Sequence, residues 1–187
     1  MQYLIDSANL SAIAACMEYY PTVGVTTNPT IISREKRPLS ALLSEIRAHI
    51  GAEQWLFAQV IADAAEDMRR EAHLYADKLS GKFSVKIPAT REGLRATRLL
   101  TSDGIPVTVT AVFSPQQSLL AARAGAAFVA PYVASGKKIP PETVQEMMRC
   151  SLYHIKWYFA RTDLNTDKGK AENKRSVVKY FKWYTPE

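Results

Sequence analysis

The sequence predicts an α/β fold of the (β/α)8 barrel type, and three observations support this. Short apolar, β-branched runs alternate with helix-like segments roughly every 20 to 30 residues through residues 1–134, the pattern of parallel strands joined by crossovers. The turn after the first run, Asp6-Ser7-Ala8-Asn9, holds no glycine, and neither GxGxxG nor GxxxxGK[ST] occurs anywhere. That argues against an open nucleotide-binding sheet. Finally, the C-terminal end of almost every candidate strand carries a polar group: Asp6, Thr26-Thr27-Asn28, Gln59, Lys86, Thr110 and Tyr132. A barrel gathers functional side chains at that end of its strands.

The elements follow in order. Tyr3–Ile5 is the first expected strand, followed by an Ala-rich helix over Ala8–Tyr19, and Val23–Thr26 is the second. Leu39, Leu42, Leu43, Ile46 and Ile50 then form the stripe of an amphipathic helix. Trp55–Ala58 is the third strand, followed by a helix with Met68, Ala72, Tyr75 and Leu79 on one face. Phe83–Ile87 is the fourth, with a helix over about 92–100, and Pro106–Thr110 is the fifth. Ser114 as cap, Pro115 at the first helical position and Gln117 completing a capping box start the next helix. Gly125 ends it, and Phe128–Pro131 is the sixth strand.

The chain has 187 residues, 47% apolar and 22% charged, enough for one domain with a substantial core or two small ones at most. No apolar run approaches the roughly 20 residues of a membrane span. The start, Met1-Gln2-Tyr3-Leu4-Ile5-Asp6, has no basic n-region, and the expected compartment is the cytoplasm. Cys16 and Cys150 form no metal or redox spacing. His49, His73 and His154 read as structural or exposed, and no metal site is expected. Charge is uneven: residues 1–134 hold 13 Lys and Arg against 12 Asp and Glu, and residues 135–187 hold 11 against 6.

Lys86 is the pivotal side chain. In Ser84-Val85-Lys86-Ile87-Pro88, Val85 and Ile87 share one face of a strand and Lys86 takes the other. On an open sheet that is an exposed lysine. Inside a barrel, desolvation lowers its pKa and leaves a nucleophilic amine. The other strand-end residues also carry a plain reading. Asp6 and Asn28 each follow a strand and precede a helix, as N-caps do. Asn28-Pro29 suits a turn, Thr110 continues a β-branched strand, and Tyr132 suits a packed aromatic with a wet hydroxyl.

Leu4-Ile5-Asp6, Gly24-Val25-Thr26-Thr27-Asn28-Pro29-Thr30-Ile31-Ile32, Phe57-Ala58-Gln59-Val60, Val85-Lys86-Ile87-Pro88, Thr110-Ala111-Val112 and Ala130-Pro131-Tyr132-Val133 appear collinearly. In these segments the chain resembles the transaldolase-like class I aldolases, the fructose-6-phosphate aldolase and short transaldolase group, through about residue 134. The resemblance implies that Lys86 condenses with a ketone to give a Schiff base, with no cofactor. It implies that Asp6 is the acid/base near the substrate hydroxyls and that Thr26 and Asn28 bind the dihydroxyacetone part. Gln59, Thr110 and Tyr132 then position a water or take part in proton transfer. Gln59 stands where transaldolases of this group tend to have glutamate, which leans the resemblance toward the aldolase branch. The implied substrate is a sugar or sugar phosphate, split into or built from a dihydroxyacetone unit and an aldehyde such as glyceraldehyde 3-phosphate, as in fructose 6-phosphate cleavage.

After Val133 the family pattern of an arginine, a Gly-rich loop and two further strands is replaced by Ala134-Ser135-Gly136-Lys137-Lys138 and a basic, aromatic tail. The expectation is an incomplete barrel of about six βα units, with the last strands missing and residues 135–187 a divergent tail. One helix is expected near 141–152, started by Pro140-Pro141-Glu142. The resemblance implies a homo-oligomeric ring built through a C-terminal helix, and this tail does not display that helix. Two other functions belong beside the aldolase reading: an inactive family remnant, and a module that binds protein or nucleic acid through the basic aromatics of 153–184. Five excess charges without a recognisable module make nucleic acid the weakest of these.

Overall fold

The computed structural model describes residues 2–132, 156–157 and 178–181. Six parallel strands carry the fold: β1 Gln2–Asp6, β2 Thr22–Thr26, β3 Trp55–Gln59, β4 Phe83–Pro88, β5 Val107–Val112 and β6 Phe128–Pro131. They pair in chain order, with helices α1 Leu10–Tyr19, α2 Pro29–Arg34, α3 Leu39–Ile50, α4 Ala65–Lys78, α5 Arg91–Ser102 and α6 Pro115–Arg123 between them. This is the curled half-barrel of an incomplete (β/α) barrel, as the alternation predicts.

Three details differ from the sequence reading. The six-residue helix α2 fills a stretch where the sequence shows no helical stripe; Pro29 opens it and the Asn28 side chain caps it. At the start of α6, Ser114 Oγ accepts from Gln117 N as expected, but Gln117 Oε1 accepts from Phe113 N, one residue before the cap. The tail, in which no strand was foreseen, contributes two: β7 Lys156–Trp157, parallel to β6, and β8 Val178–Phe181, antiparallel to β1. An open sheet presents unpaired N–H and C=O groups at both edges, so an extended segment can add there without hydrophobic periodicity of its own. β7 and β8 lie at opposite ends of the strand order, and the regular parallel closure is not formed among the described residues. The helix expected near 141–152, with Lys137, Lys138, Cys150 and His154, falls outside those residues.

Both faces of the sheet are buried, which is why its strands are so rich in Val, Ile and Phe. One face, with Ile5, Val25, Leu56, Ala58, Val85, Ile87, Val109 and Val129, packs against the helices through Leu42, Ile46, Met68, Ala72, Ala96 and Leu100. The other, alternating by the strand period of two, forms a small separate cluster of Leu4, Phe57 and Phe128 with Trp55. The Trp55 and Phe128 rings lie edge-on at 5.1 Å, and Phe57 and Phe128 at 5.5 Å.

Two glycines let elements approach closely. A Cβ at Gly24 in β2 would stand 2.1 Å from the Trp55 carbonyl oxygen. A Cβ at Gly93, in the first turn of α5, would stand 1.9 Å from the Pro88 carbonyl oxygen, so only glycine seats this helix against the end of β4. At the other end of the strands, buried Arg47 of α3 donates Nη1 to the carbonyls of Gly51 (2.7 Å) and Gln54 (2.8 Å), and Nη2 to that of Lys82 (2.6 Å).

Candidate active site

Strand register assembles the site. Gln59 is the partner of Lys86, and Lys86 of Thr108, while Asp6 is the partner of Thr26 and Thr26 of Phe57. Partners in a parallel ladder share a face, and so do residues two apart on one strand. Asp6, Thr26, Gln59, Lys86 and Thr110 therefore stand on the inner face, each two residues beyond Leu4, Gly24, Phe57, Ser84 and Thr108 respectively. Leu4 and Phe57 belong to the aromatic cluster. A polar row at the C-terminal strand ends thus lies one pleat above an apolar floor. Beside that floor, the buried hydroxyls of Ser84 and Thr108 bond to each other at 2.7 Å.

Lys86 is only 8% exposed. Its Nζ donates to the Thr27 carbonyl at 2.6 Å and to Thr26 Oγ1 at 3.3 Å. Burying an ammonium without acceptors is costly, and these two oxygens from β2 and the residue after it offset that cost while fixing where the amine sits. Lys86 thus turns inward rather than to solvent.

The remaining expected residues divide. Thr26 touches Lys86 directly and is buried. Half-buried Gln59 and Asp6 take their places in the polar row through register with Lys86 and Thr26. Buried Thr110 lies opposite Pro88, and its carbonyl accepts from Ala89 N at 2.9 Å. A register shift follows at once: Ala111 has φ +55°, rare for a residue with a Cβ, and Val112 rather than Ala111 pairs with Pro131. Asn28 meets the plain reading, because its Oδ1 accepts from Ile31 N at 2.9 Å as the N-cap of α2. Asp6 is not a cap: Asn9 caps α1, its Oδ1 accepting from Ala12 N at 3.0 Å. Tyr132 stands at the rim, half exposed, its N–H on the Val112 carbonyl and its ring centroid 5.5 Å from that of half-exposed Phe113.

The sequence pattern includes Thr27 among the strand-end polar residues but gives it no role. Thr27 is 1% exposed and meets Lys86 through its backbone carbonyl. Among the described residues, no group of three or more His, Cys, Asp or Glu side chains is arranged to hold a metal ion, and no helix is long and apolar enough to cross a membrane. Cys16 is buried as a free thiol, and burial pushes its pKa up.

The family model described as transaldolase/fructose-6-phosphate aldolase matches residues 3–154, so the likeness runs past residue 134, where the sequence reading ended it. A protein named probable transaldolase from Aquifex aeolicus (strain VF5) is 39% identical over 167 residues, covering 89% of this chain and 73% of that protein. One of the same name from Desulfatibacillum aliphaticivorans is 42% identical over 133 residues, covering 71% of this chain and 61% of its own length. A solved structure from Coccidioides immitis, assigned as a fructose-1,6-biphosphate aldolase, superposes with a TM-score of 0.59 at 20% identity, covering 83% of this chain and 62% of that one, a likeness of fold alone. The chain thus spans about three fifths to three quarters of the length of these proteins. The chain belongs to the transaldolase/fructose-6-phosphate aldolase family.

Proposed function

We propose that this protein is a Schiff-base aldolase or transaldolase acting on a sugar or sugar phosphate. It makes or cleaves the bond between a dihydroxyacetone unit and an aldehyde such as glyceraldehyde 3-phosphate, in the manner of a fructose 6-phosphate aldolase. The observation that carries this reading is the buried Lys86 amine, held by Thr27 O and Thr26 Oγ1 above an apolar floor, in a chain of this family. The reaction needs no cofactor, because the imine itself is the electron sink. Neutral Lys86 adds its lone pair to the ketone carbon, and the carbinolamine loses its oxygen as water to leave a protonated imine. The carbon–carbon bond next to the imine's α-carbon then breaks. Its electron pair passes into an enamine, and the proton of the departing carbinol hydroxyl passes to a base, releasing the aldehyde. Protonation and hydrolysis of the enamine complete an aldolase cycle; capture by a second aldehyde, followed by hydrolysis of the new imine, completes a transaldolase cycle.

In this scheme Asp6 takes and returns the hydroxyl proton. Gln59, Thr110 and Tyr132 position water or relay protons, and Thr26 and Asn28 hold substrate hydroxyls. Asn28 does so with whatever its cap bond to Ile31 leaves free. We read residues 1–134 as the catalytic portion and 135–187 as a divergent tail, and the compartment as the cytoplasm.

A second reading, an inactive remnant of the family, is favoured by one observation: the β1 edge is taken by the antiparallel strand β8, where a regular barrel sets a parallel one. Borohydride trapping with dihydroxyacetone separates the two. The proposal expects a reduced three-carbon adduct on Lys86 by mass spectrometry, lost in Lys86→Met. Folded protein that takes no label overturns it in favour of the remnant.

A further inference from the structure

We propose that Thr27 is a positioning residue whose hydroxyl fixes the peptide that holds the Lys86 amine. This rests on the reading that the Lys86 amine reacts. Residue 27 lies just past the end of β2, where the chain must turn from strand into the cap of α2. The peptide joining Thr27 to Asn28 carries the carbonyl that accepts Lys86 Nζ at 2.6 Å. It is gripped from both sides. Upstream, Thr27 N and Thr27 Oγ1 both donate to the Phe57 carbonyl, at 3.0 and 2.9 Å. Downstream, Asn28 is locked as cap, its Oδ1 accepting from Ile31 N and its carbonyl from Ile32 N at 3.0 Å. The backbone bond from Thr27 continues the β2–β3 ladder and forms for any residue but proline. The second bond, from the hydroxyl, is specific to threonine or serine and prevents this terminal residue from fraying.

The Thr27 side chain is 1% exposed, and its hydroxyl does not need to meet substrate to matter. A carbonyl accepts from an ammonium more strongly than from a neutral amine, so a peptide fixed in place stabilises the charged form and sets the rotamer from which the lone pair emerges. Loosening that peptide makes the amine easier to deprotonate and worse aimed.

Two readouts on the whole chain test this, comparing wild type, Thr27→Val, which keeps the shape and loses the hydroxyl, and Thr27→Ser, which restores it. Competitive acetylation of Lys86 with acetic anhydride over a pH series, read by mass spectrometry, follows the amine without any ketone chemistry. Borohydride trapping with dihydroxyacetone follows the reaction. The expected result for Thr27→Val is an acetylation profile moved to lower pH, and a limiting trapping rate at high pH reduced about fivefold, within what one neutral hydrogen bond is worth. Thr27→Ser restores both. A merely structural role lowers the melting temperature and leaves the acetylation profile unmoved, and an unmoved profile overturns the proposal whatever the trapping rate does. A moved profile in a protein that never traps dihydroxyacetone sinks the aldolase reading and keeps the positioning role. Should Thr27→Val not fold, Thr27→Ala is read in the same way.

Discussion

Gln59 and Lys86 face each other in register across the parallel strands β3 and β4, which sets their Cα atoms about 5 Å apart on one face of the sheet. The amine therefore has a neutral amide, not a carboxylate, as its neighbour along β3.

Gln59→Glu places an opposite charge beside the amine and favours its protonated form, so the pH profile of Lys86 trapping moves upward by about one unit. The same change supplies the residue that transaldolases of this group tend to carry. The ratio of product transferred to a second aldehyde over product released should rise. Progress curves with and without an acceptor aldehyde measure that ratio, and an unchanged ratio with an unmoved profile means that residue 59 takes no part in the chemistry.

At the opposite end of the strands, Arg47 ties three carbonyls together, those of Gly51, Gln54 and Lys82, just ahead of β3 and β4. No carboxylate meets its guanidinium in these bonds, and burial pulls its pKa below the ordinary arginine value. Arg47→Met keeps the stem and takes its donors from three carbonyls, of which that of Lys82 keeps the Leu56 N–H at 2.9 Å, a cost of about 2 kcal/mol that should show as a lower midpoint in urea. Arg47→Lys recovers part of it, since a compact ammonium lacks the planar fork. Because conserving the N-terminal end of barrel strands serves stability and the C-terminal end serves chemistry, labelling of Lys86 at temperatures where Arg47→Met is folded should match wild type.

What could be read in the sequence follows from how far each signal reaches. The strands announced themselves because burial on both faces demands apolar, β-branched runs, and Val85 and Ile87 around Lys86 are such a run. Thr26, Gln59 and Lys86 stood out as polar side chains at the ends of those runs. Thr27 stood among them too, but its role did not show, because it serves Lys86 through a backbone carbonyl that every residue type possesses. Helix α2 is too short for a hydrophobic stripe, and its only marks were Asn28 and Pro29, which also spell a turn. Arg47 sits in the stripe of α3 between Leu43 and Ile50, and the carbonyls it serves lie on loops that sequence spacing does not bring to mind. Strands β7 and β8, of two and four residues, are too short to leave a period to detect.

Asp103, just after α5, receives Arg69 of α4 in a fork of two 2.7 Å bonds and His73 Nε2 at 2.9 Å. The Arg69 bond first, then that from His73, hold its carboxyl down at about 2, against an ordinary 3.8. A depressed acid stabilises the fold only while ionised in it, so its contribution is complete above the ordinary value and disappears as pH falls through the folded one. The clip joins the outer faces of α4 and α5, the two helices that flank β4. Asp103→Asn should therefore lower the melting temperature at neutral pH, and the gap to wild type should close between about pH 4 and pH 2. Added salt should narrow the gap at neutral pH as well, because the cluster lies near the surface and is screened. A gap that stays constant down to pH 2 would show that the three side chains meet without their charges contributing to the stability of the fold.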